Sequence, residues 1–290
     1  MLFRSAFAET LDREAVDLST LLDIAGLSRR FGGLVAVGDV GMEVAAGSVH
    51  GLIGPNGAGK TTMLNLISGH LTSSAGQIQF EGSDITRWPV DRRARLGIRR
   101  TFQNLKLFRE MTVLENIMVG MHGQTHCEIW HALLRTPQQK AEETTITERA
   151  REALDFVALG HLADMQAGAL PYGSQRLVEI ARAIVARPKL LLLDEPAAGL
   201  NGAESKRMVD LIRAIRASGV TILLVEHHMD VVMPSCDCIT VLNYGKRLAN
   251  GSPAEIRAHP EVIKAYLGGR LTRRAKPVQS LHTEAAHASP

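Results

Sequence analysis

Two stretches of this chain carry residues whose types and spacing suit chemistry on a phosphate. The first is Gly54-Pro55-Asn56-Gly57-Ala58-Gly59-Lys60-Thr61-Thr62, which fits the spacing GxxxxGK[ST] from Gly54 to Thr61. Glycines at 54, 57 and 59 open backbone conformations closed to other residues, so that N–H groups can approach phosphate oxygens. Lys60 can then reach the β and γ phosphates, and the Thr61 hydroxyl can ligate Mg²⁺. The second stretch is the apolar run Leu190–Leu193, which ends in Asp194-Glu195-Pro196. Adjacent side chains leave a strand on opposite sides, so the two carboxylates can take different tasks. Asp194 can hold Mg²⁺ through water, and Glu195 can orient or deprotonate an attacking water. Alone, the one could be a glycine-rich turn and the other an acidic strand end; together they point to a nucleoside triphosphate.

The flanking sequence supplies elements to position them. Val49–Ile53 reads as a buried strand before the loop and Met63–Ile67 as the start of a helix after it, which aims a helix N-terminus at phosphate. Upstream, Leu22–Leu27 is strand-like, Arg29–Gly33 a turn and Leu34–Ala45 an alternating strand. Downstream, Ala75-Gly76 reads as a turn, Gln77–Phe80 as a strand and Glu81-Gly82 as a tight hairpin. The basic run Asp91–Arg100 reads as a solvated helix face and turn. Thr112 and Glu115 have capping-box spacing, so a helix should begin at Thr112. From Glu128 to Leu159 the chain is charged and helix-prone, broken at Thr136-Pro137, and this predicts an inserted helical subdomain. A helix is expected over Gln175–Ala186, with Leu177, Ile180, Ala181 and Ile184 on one face, ended by Arg187-Pro188. Val220–Val225 suits a second parallel strand, Ile239–Leu242 and Gly245–Leu248 a closing pair, and Ser252–Glu255 a capped helix start. The expected fold class is α/β: a phosphate-loop NTPase core with a parallel sheet, an antiparallel β subdomain and an inserted α-helical subdomain at about 112–187. Residues 1–21 read as an N-terminal extension, 22–268 as the folded unit and 269–290 as a basic, disordered tail.

Composition narrows the function classes. The chain has 290 residues, 45% of them hydrophobic, enough for a full core. A membrane-crossing helix needs roughly 20 consecutive apolar residues, which no run approaches. The N-terminus lacks the apolar core of a signal peptide. Cys127, Cys236 and Cys238 have neither disulfide-framework nor zinc spacing and read as reduced structural residues. A net charge of +3 is too small to imply nucleic acid.

From Leu22 to Gly268 the sequence resembles the ATP-binding subunits of ABC transporters. The resemblance rests on the two phosphate motifs together with several further stretches in family order. Gln103 falls at the Q-loop glutamine, which in the family senses the γ-phosphate and Mg²⁺ and touches the membrane subunit. Leu170–Ile184 falls at the signature and its helix, Ala198-Gly199-Leu200-Asn201 at the D-loop and His227 at the switch histidine. Phe31 lies where an aromatic residue stacks on adenine. Within the family the larger ATPase of branched-chain amino acid uptake systems is most similar, through FGGLVAV, RTFQNLKLFREMTVLENIMVG, DEPAAGLN, VEHHMD and the ending GSPAEI to AYLG. Importers of urea, short amides or other small polar solutes share these features. The resemblance implies ATP and Mg²⁺ as cofactors, with Thr61, Gln103 and Asp194 toward the metal and Glu195, His227 and Lys60 toward hydrolysis. It implies as partners a second ATPase subunit, two transmembrane permease subunits and a solute-binding protein, at the cytoplasmic face of the inner membrane, with no nucleic acid.

The match departs from the family in the signature and beside the switch histidine. Pro171 replaces the signature serine that donates to the γ-phosphate on the opposing subunit, and proline offers neither hydroxyl nor N–H. Tyr172 replaces the first glycine; Gly173 remains and Ser174 stands where the family has Gln, which leaves some donor capacity toward that opposing nucleotide, and the altered signature favours a partner ATPase of different sequence. His228 follows the switch histidine where the subgroup usually has Asp. Other classes fit less: soluble ABC proteins of translation or DNA repair usually carry two such domains or a long coiled-coil insert, and a nucleotide-gated module without hydrolysis would need only the altered signature.

Overall fold

Residues 20–124 and 137–266 are described by a computed structural model. The continuous apolar runs form the middle of a six-stranded sheet: β3 (Val49–Ile53), β6 (Ile98–Arg100), β7 (Leu190–Asp194), β8 (Thr221–Val225), β9 (Cys238–Asn243) and β10 (Lys246–Gly251). The order is β10-β9-β3-β8-β7-β6, all neighbours parallel except the antiparallel β10–β9 pair. A second, antiparallel sheet has the order β2-β1-β4-β5, from β1 (Thr20–Phe31), β2 (Leu34–Ala45), β4 (Ala75–Phe80) and β5 (Ser83–Asp84).

The pleat explains why the central strands are apolar throughout. On β7, Leu191 and Leu193 enter one core while Leu190 and Leu192 enter the other; on β8, Ile222 and Leu224 part from Leu223 and Val225 in the same way. One core packs this sheet against α3 (Val113–Met118), α4 (Pro137–Phe156), α5 (Tyr172–Ile184), α6 (Gly202–Ala217) and α7 (Met229–Ser235). The other packs it against α1 (Lys60–Ser68) and the antiparallel sheet. The phosphate loop leaves β3 at the sheet's centre, between the cores.

Several local expectations change. Arg29, Arg30 and Phe31 continue β1, and the turn is confined to Gly32-Gly33. Ala75 and Gly76 belong to β4, and α5 begins at Tyr172 with Pro171 as its N-cap. The basic run is a solvated face only in part, at Asp91, Arg92 and Arg95. It forms α2 (Val90–Arg95) and then β6, and two of its arginines are buried. Arg93 donates to the carbonyls of Leu66 and Ile67 at the end of α1 and to those of Trp88 and Thr86. Burial brings its pKa down to about 10, with Asp84 opposing the shift. Thr112 and Glu115 do form the capping box that starts α3, and Ser252 with Glu255 starts α8 (Pro253–Ala258) likewise. Of the helix-prone stretch, 128–136 lies outside the described residues, as do residues 1–19, 125–127 with Cys127, and the tail from 267.

Candidate functional site: a phosphate loop facing a carboxylate, an amide and an imidazole

The loop between β3 and α1 closes by backbone geometry. Gly59 sits at φ 104°, and a Cβ there would lie 2.6 Å from the Ala36 carbonyl oxygen. No L side chain fits that turn without moving β2. Lys60 follows at the first position of α1 and folds back, Nζ donating to the carbonyls of Gly54 at 2.8 Å and Pro55 at 3.1 Å. Burial lowers its pKa, and the carboxylates of Glu195, Asp194 and Glu226 pull in the opposite direction.

The wall opposite the loop comes from the ends of β7 and β8. Glu195 leaves β7 at φ 49°, a left-handed conformation strained for a non-glycine residue, and its N–H donates to the Val225 carbonyl at 2.8 Å. Its Oε2 accepts from Gln103 Nε2 at 2.9 Å, and its Oε1 lies 3.6 Å from His227 Nδ1. The structure thus brings Gln103, Glu195 and His227 together around one cavity of about 630 Å³, with Asn56, Gly57, Ala58, Gly59, Lys60, Thr61 and Thr62 forming another wall. Leu34–Ala36 of β2 and Tyr244 complete it. Asp194 stands behind this wall. Its Oδ2 accepts from Arg100 at 2.9 Å, a pair with side-chain exposures of only 7% and 5%. Arg100 also donates to Asn65 Oδ1 and Ser68 Oγ on α1, so one guanidinium ties the carboxylate strand to the loop helix.

Not all expected residues meet there. Phe31 is not part of the cavity wall; it is 43% exposed at the end of β1, with the Arg29 guanidinium 4.7 Å from its ring centre. The aromatic that the wall does present is Tyr244, 86% exposed. Gly173 and Ser174, expected to face the nucleotide of an opposing subunit and not this one, lie outside the wall in the first turn of α5. At Gly173 a Cβ would come 2.6 Å from Glu204 Oε1, so that turn packs directly on α6. Asn201, in the stretch matched to the D-loop, caps α6 by accepting from the N–H groups of Ala203 and Glu204.

Two supporting groups escaped the sequence reading. Arg176 of α5 donates to the carbonyls of Phe102 and Gln103, to the Tyr172 hydroxyl and to Glu179, whose other oxygen accepts from the Phe102 N–H. Both side chains are buried, and burial raises the Glu179 pKa against the pull of Arg176. The helix behind the signature therefore holds the backbone of Gln103. Glu226, fully buried at the end of β8, accepts from the N–H groups of Ala197, His227 and His228 and so joins the loops after β7 and β8. An acidic residue closing an apolar strand was its sequence signal.

The model of the ABC transporter family matches residues 37–198, more than half of the chain. The chain belongs to the ABC transporter family. A second model, described as the branched-chain amino acid ATP-binding cassette transporter, matches residues 246–271 of this ABC protein. It is 45% identical over 249 residues to the high-affinity branched-chain amino acid transport ATP-binding protein BraF of Pseudomonas aeruginosa, covering 86% of this chain and 98% of that one. It is likewise 45% identical to LivG of Escherichia coli, of the same description, with the same coverage. Among solved structures, a nucleotide-free ATP-binding cassette from an ABC transporter superposes with a TM-score of 0.75 at 33% identity, covering 86% of this chain and 99% of that one. The ADP conformation of an ABC transporter cassette gives 0.76 at 33% identity, with the same coverage. This ABC protein is a nucleotide-binding subunit of a transporter. Among its described residues no helix is long and apolar enough to cross a membrane.

Proposed function

We propose that this subunit hydrolyses ATP to drive uptake of branched-chain amino acids through separate permease subunits, docked at the cytoplasmic face of the inner membrane. The observation that carries the reading is the meeting of Gln103, Glu195 and His227 across one cavity from the phosphate loop. The solute assignment is supported by the names of the relatives, nearly all of whose length the chain covers. A catalytic unit over residues 22–268 working with a second, different ATPase, two permeases and a solute-binding protein fits the same reading.

The donor set suits a magnesium nucleotide: the Thr61 hydroxyl, the Glu195 carboxylate, the Gln103 amide and the Lys60 ammonium line one cavity, with the Asp194 carboxylate behind its wall. Thr61, Gln103 and, through water, Asp194 would hold Mg²⁺, which would offset charge on the transferring phosphoryl group. Arg100 takes one oxygen of Asp194 and fixes the carboxylate's orientation. Lys60 leaves the loop carbonyls for the β and γ phosphates. Glu195 orients the attacking water and accepts its proton, Gln103 sets the Glu195 rotamer, and His227 donates to the γ-phosphoryl oxygens. Gly173 and Ser174 face the nucleotide on the partner's loop. Glu195→Gln should keep ATP affinity within about twofold and lower turnover by about 10² or more, since general-base assistance is worth roughly 10²–10⁴. Near-wild-type turnover in the assembled transporter removes Glu195 from this role. Unchanged leucine uptake in cells lacking the chain refutes the solute.

A further inference from the structure

We infer that Glu226, His227 and His228 form a binding site for a transition-metal dication of the zinc type, and that its occupation switches hydrolysis off. One ligand atom from each residue lies within 4.8 Å of the other two. Glu226 Oε2 is 3.0 Å from His228 Nδ1 and 3.7 Å from His227 Nδ1. A tetrahedral zinc with bonds of about 2.0–2.1 Å holds its ligand atoms about 3.3 Å apart, so the two separations bracket the required edge. The rings sit 4.0 Å apart at 38°, and each turns Nδ1 toward the same carboxylate.

Glu226 is fixed in advance. It is fully buried, Oε1 accepts from Ala197 N–H and Oε2 from the N–H groups of His227 and His228, which is the outer-shell support that orients a ligating carboxylate. The histidines are 43% and 40% exposed, so an ion enters from solvent. Two imidazoles with one carboxylate suit zinc; magnesium takes oxygen ligands and does not compete. On binding, His228 Nδ1 gives up its contact with Glu226 Oε2 to the ion, and the neutral ring carries its one proton on Nε2. The cost falls on His227, because the nitrogen that meets the ion is the one 3.6 Å from Glu195 Oε1. An ion on Nδ1 draws the imidazole away from Glu195 and from the phosphate cavity. This consequence rests on the proposed ATPase reading; the binding does not.

The test is a chelator-competition titration with Zn²⁺ on the full chain, wild type against His228→Asn, beside ATPase assays of the assembled transporter at saturating Mg-ATP. Asparagine keeps an N–H donor for Glu226 and removes the ring nitrogen. The expected result is one zinc ion held at least tenfold more tightly by wild type. Zinc should also depress wild-type turnover severalfold, reversibly by a zinc-selective chelator, and leave the variant unaffected. Equal zinc affinity of the two proteins overturns the site, and tight wild-type binding without loss of turnover overturns the switch. If neither protein hydrolyses ATP even without zinc, the functional proposal fails, and the titration still decides the site.

Discussion

Arg176→Met separates the two roles that the buried Arg176–Glu179 pair combines, and the structure gives the size of each. Methionine matches the length of the arginine stem but removes the guanidinium, which makes bonds to the carbonyls of Phe102 and Gln103, the Tyr172 hydroxyl and Glu179. Glu179, 2% exposed on its side chain, is then left buried without its ion-pair partner, with only the longer-range charge of Arg182 acting on it. Breaking such a pair from one side costs about 3–5 kcal/mol, most of it the unpaired charge. The companion variant Arg176→Met with Glu179→Leu removes that charge, and its unfolding free energy should return to within about 1–2 kcal/mol of wild type, as apolar replacements of buried pairs do. Turnover should not return with it. The backbone of Gln103 has lost its carbonyl anchor on α5 in both variants, and a misplacement of about 1 Å near reacting groups can cost up to about 10²-fold. Urea unfolding followed by circular dichroism gives the stabilities, and ATPase assays of the assembled transporter give the rates. An Arg176→Met protein within about 1 kcal/mol of wild type would falsify the energetic argument. A double variant of full activity would refute the positioning role.

Further outcomes follow from other residues. His50 is buried in β3, its Nε2 against Thr240 Oγ1 at 2.8 Å, and burial lowers its pKa to about 4. Between that value and the ordinary 6.5 the unfolded chain binds more protons, so about 3 kcal/mol of stability present above pH 6.5 drains away as pH falls toward 4; His50→Gln should flatten that limb of the pH–stability curve. Adenine stacking can be assigned by comparing Phe31→Ala with Tyr244→Ala: stacking is worth about 1–3 kcal/mol, so the responsible residue should weaken ATP binding by about fivefold or more in an equilibrium titration, the other little. Pro171→Ser gives α5 a side-chain cap that Pro171 cannot provide, which should add about 1 kcal/mol in thermal melts. The same hydroxyl should raise turnover of the assembled transporter, and an unchanged rate would show that the opposing site does not use this position.

The parts of the fold that were legible in the sequence are those with a local cause. Val49–Ile53, Leu190–Leu193 and Val220–Val225 are apolar, His50 and Thr221 apart, because both faces of the central sheet are covered, and the Thr112 and Ser252 boxes act within one turn. Glu195 could be picked out from the carboxylate pair that ends an apolar strand, and Gln103 and His227 through the family resemblance, but not their meeting in space. What stayed hidden depends on distant partners. Arg93 and Arg100 look like a solvated charge run, since their reasons for burial, the carbonyls of Leu66 and Ile67 and the carboxylate of Asp194, come from other elements. A three-residue strand such as Ile98–Arg100 is too short to show a period. Arg176 and Glu179 vanish into a helix whose pattern needs only their neighbours.

The left-handed backbone at Glu195 has a bearing on how the chain can change. At φ 49° a side chain is held where glycine would rest more easily, and such a conformation costs of order 1–3 kcal/mol at a non-glycine residue. A population of variants sorted for thermal tolerance alone would therefore gather Gly or Asn at position 195 and lose the carboxylate with no penalty to folding. Improvement of this subunit by stability screening has to fix that position beforehand, because the sorting favours its inactive forms.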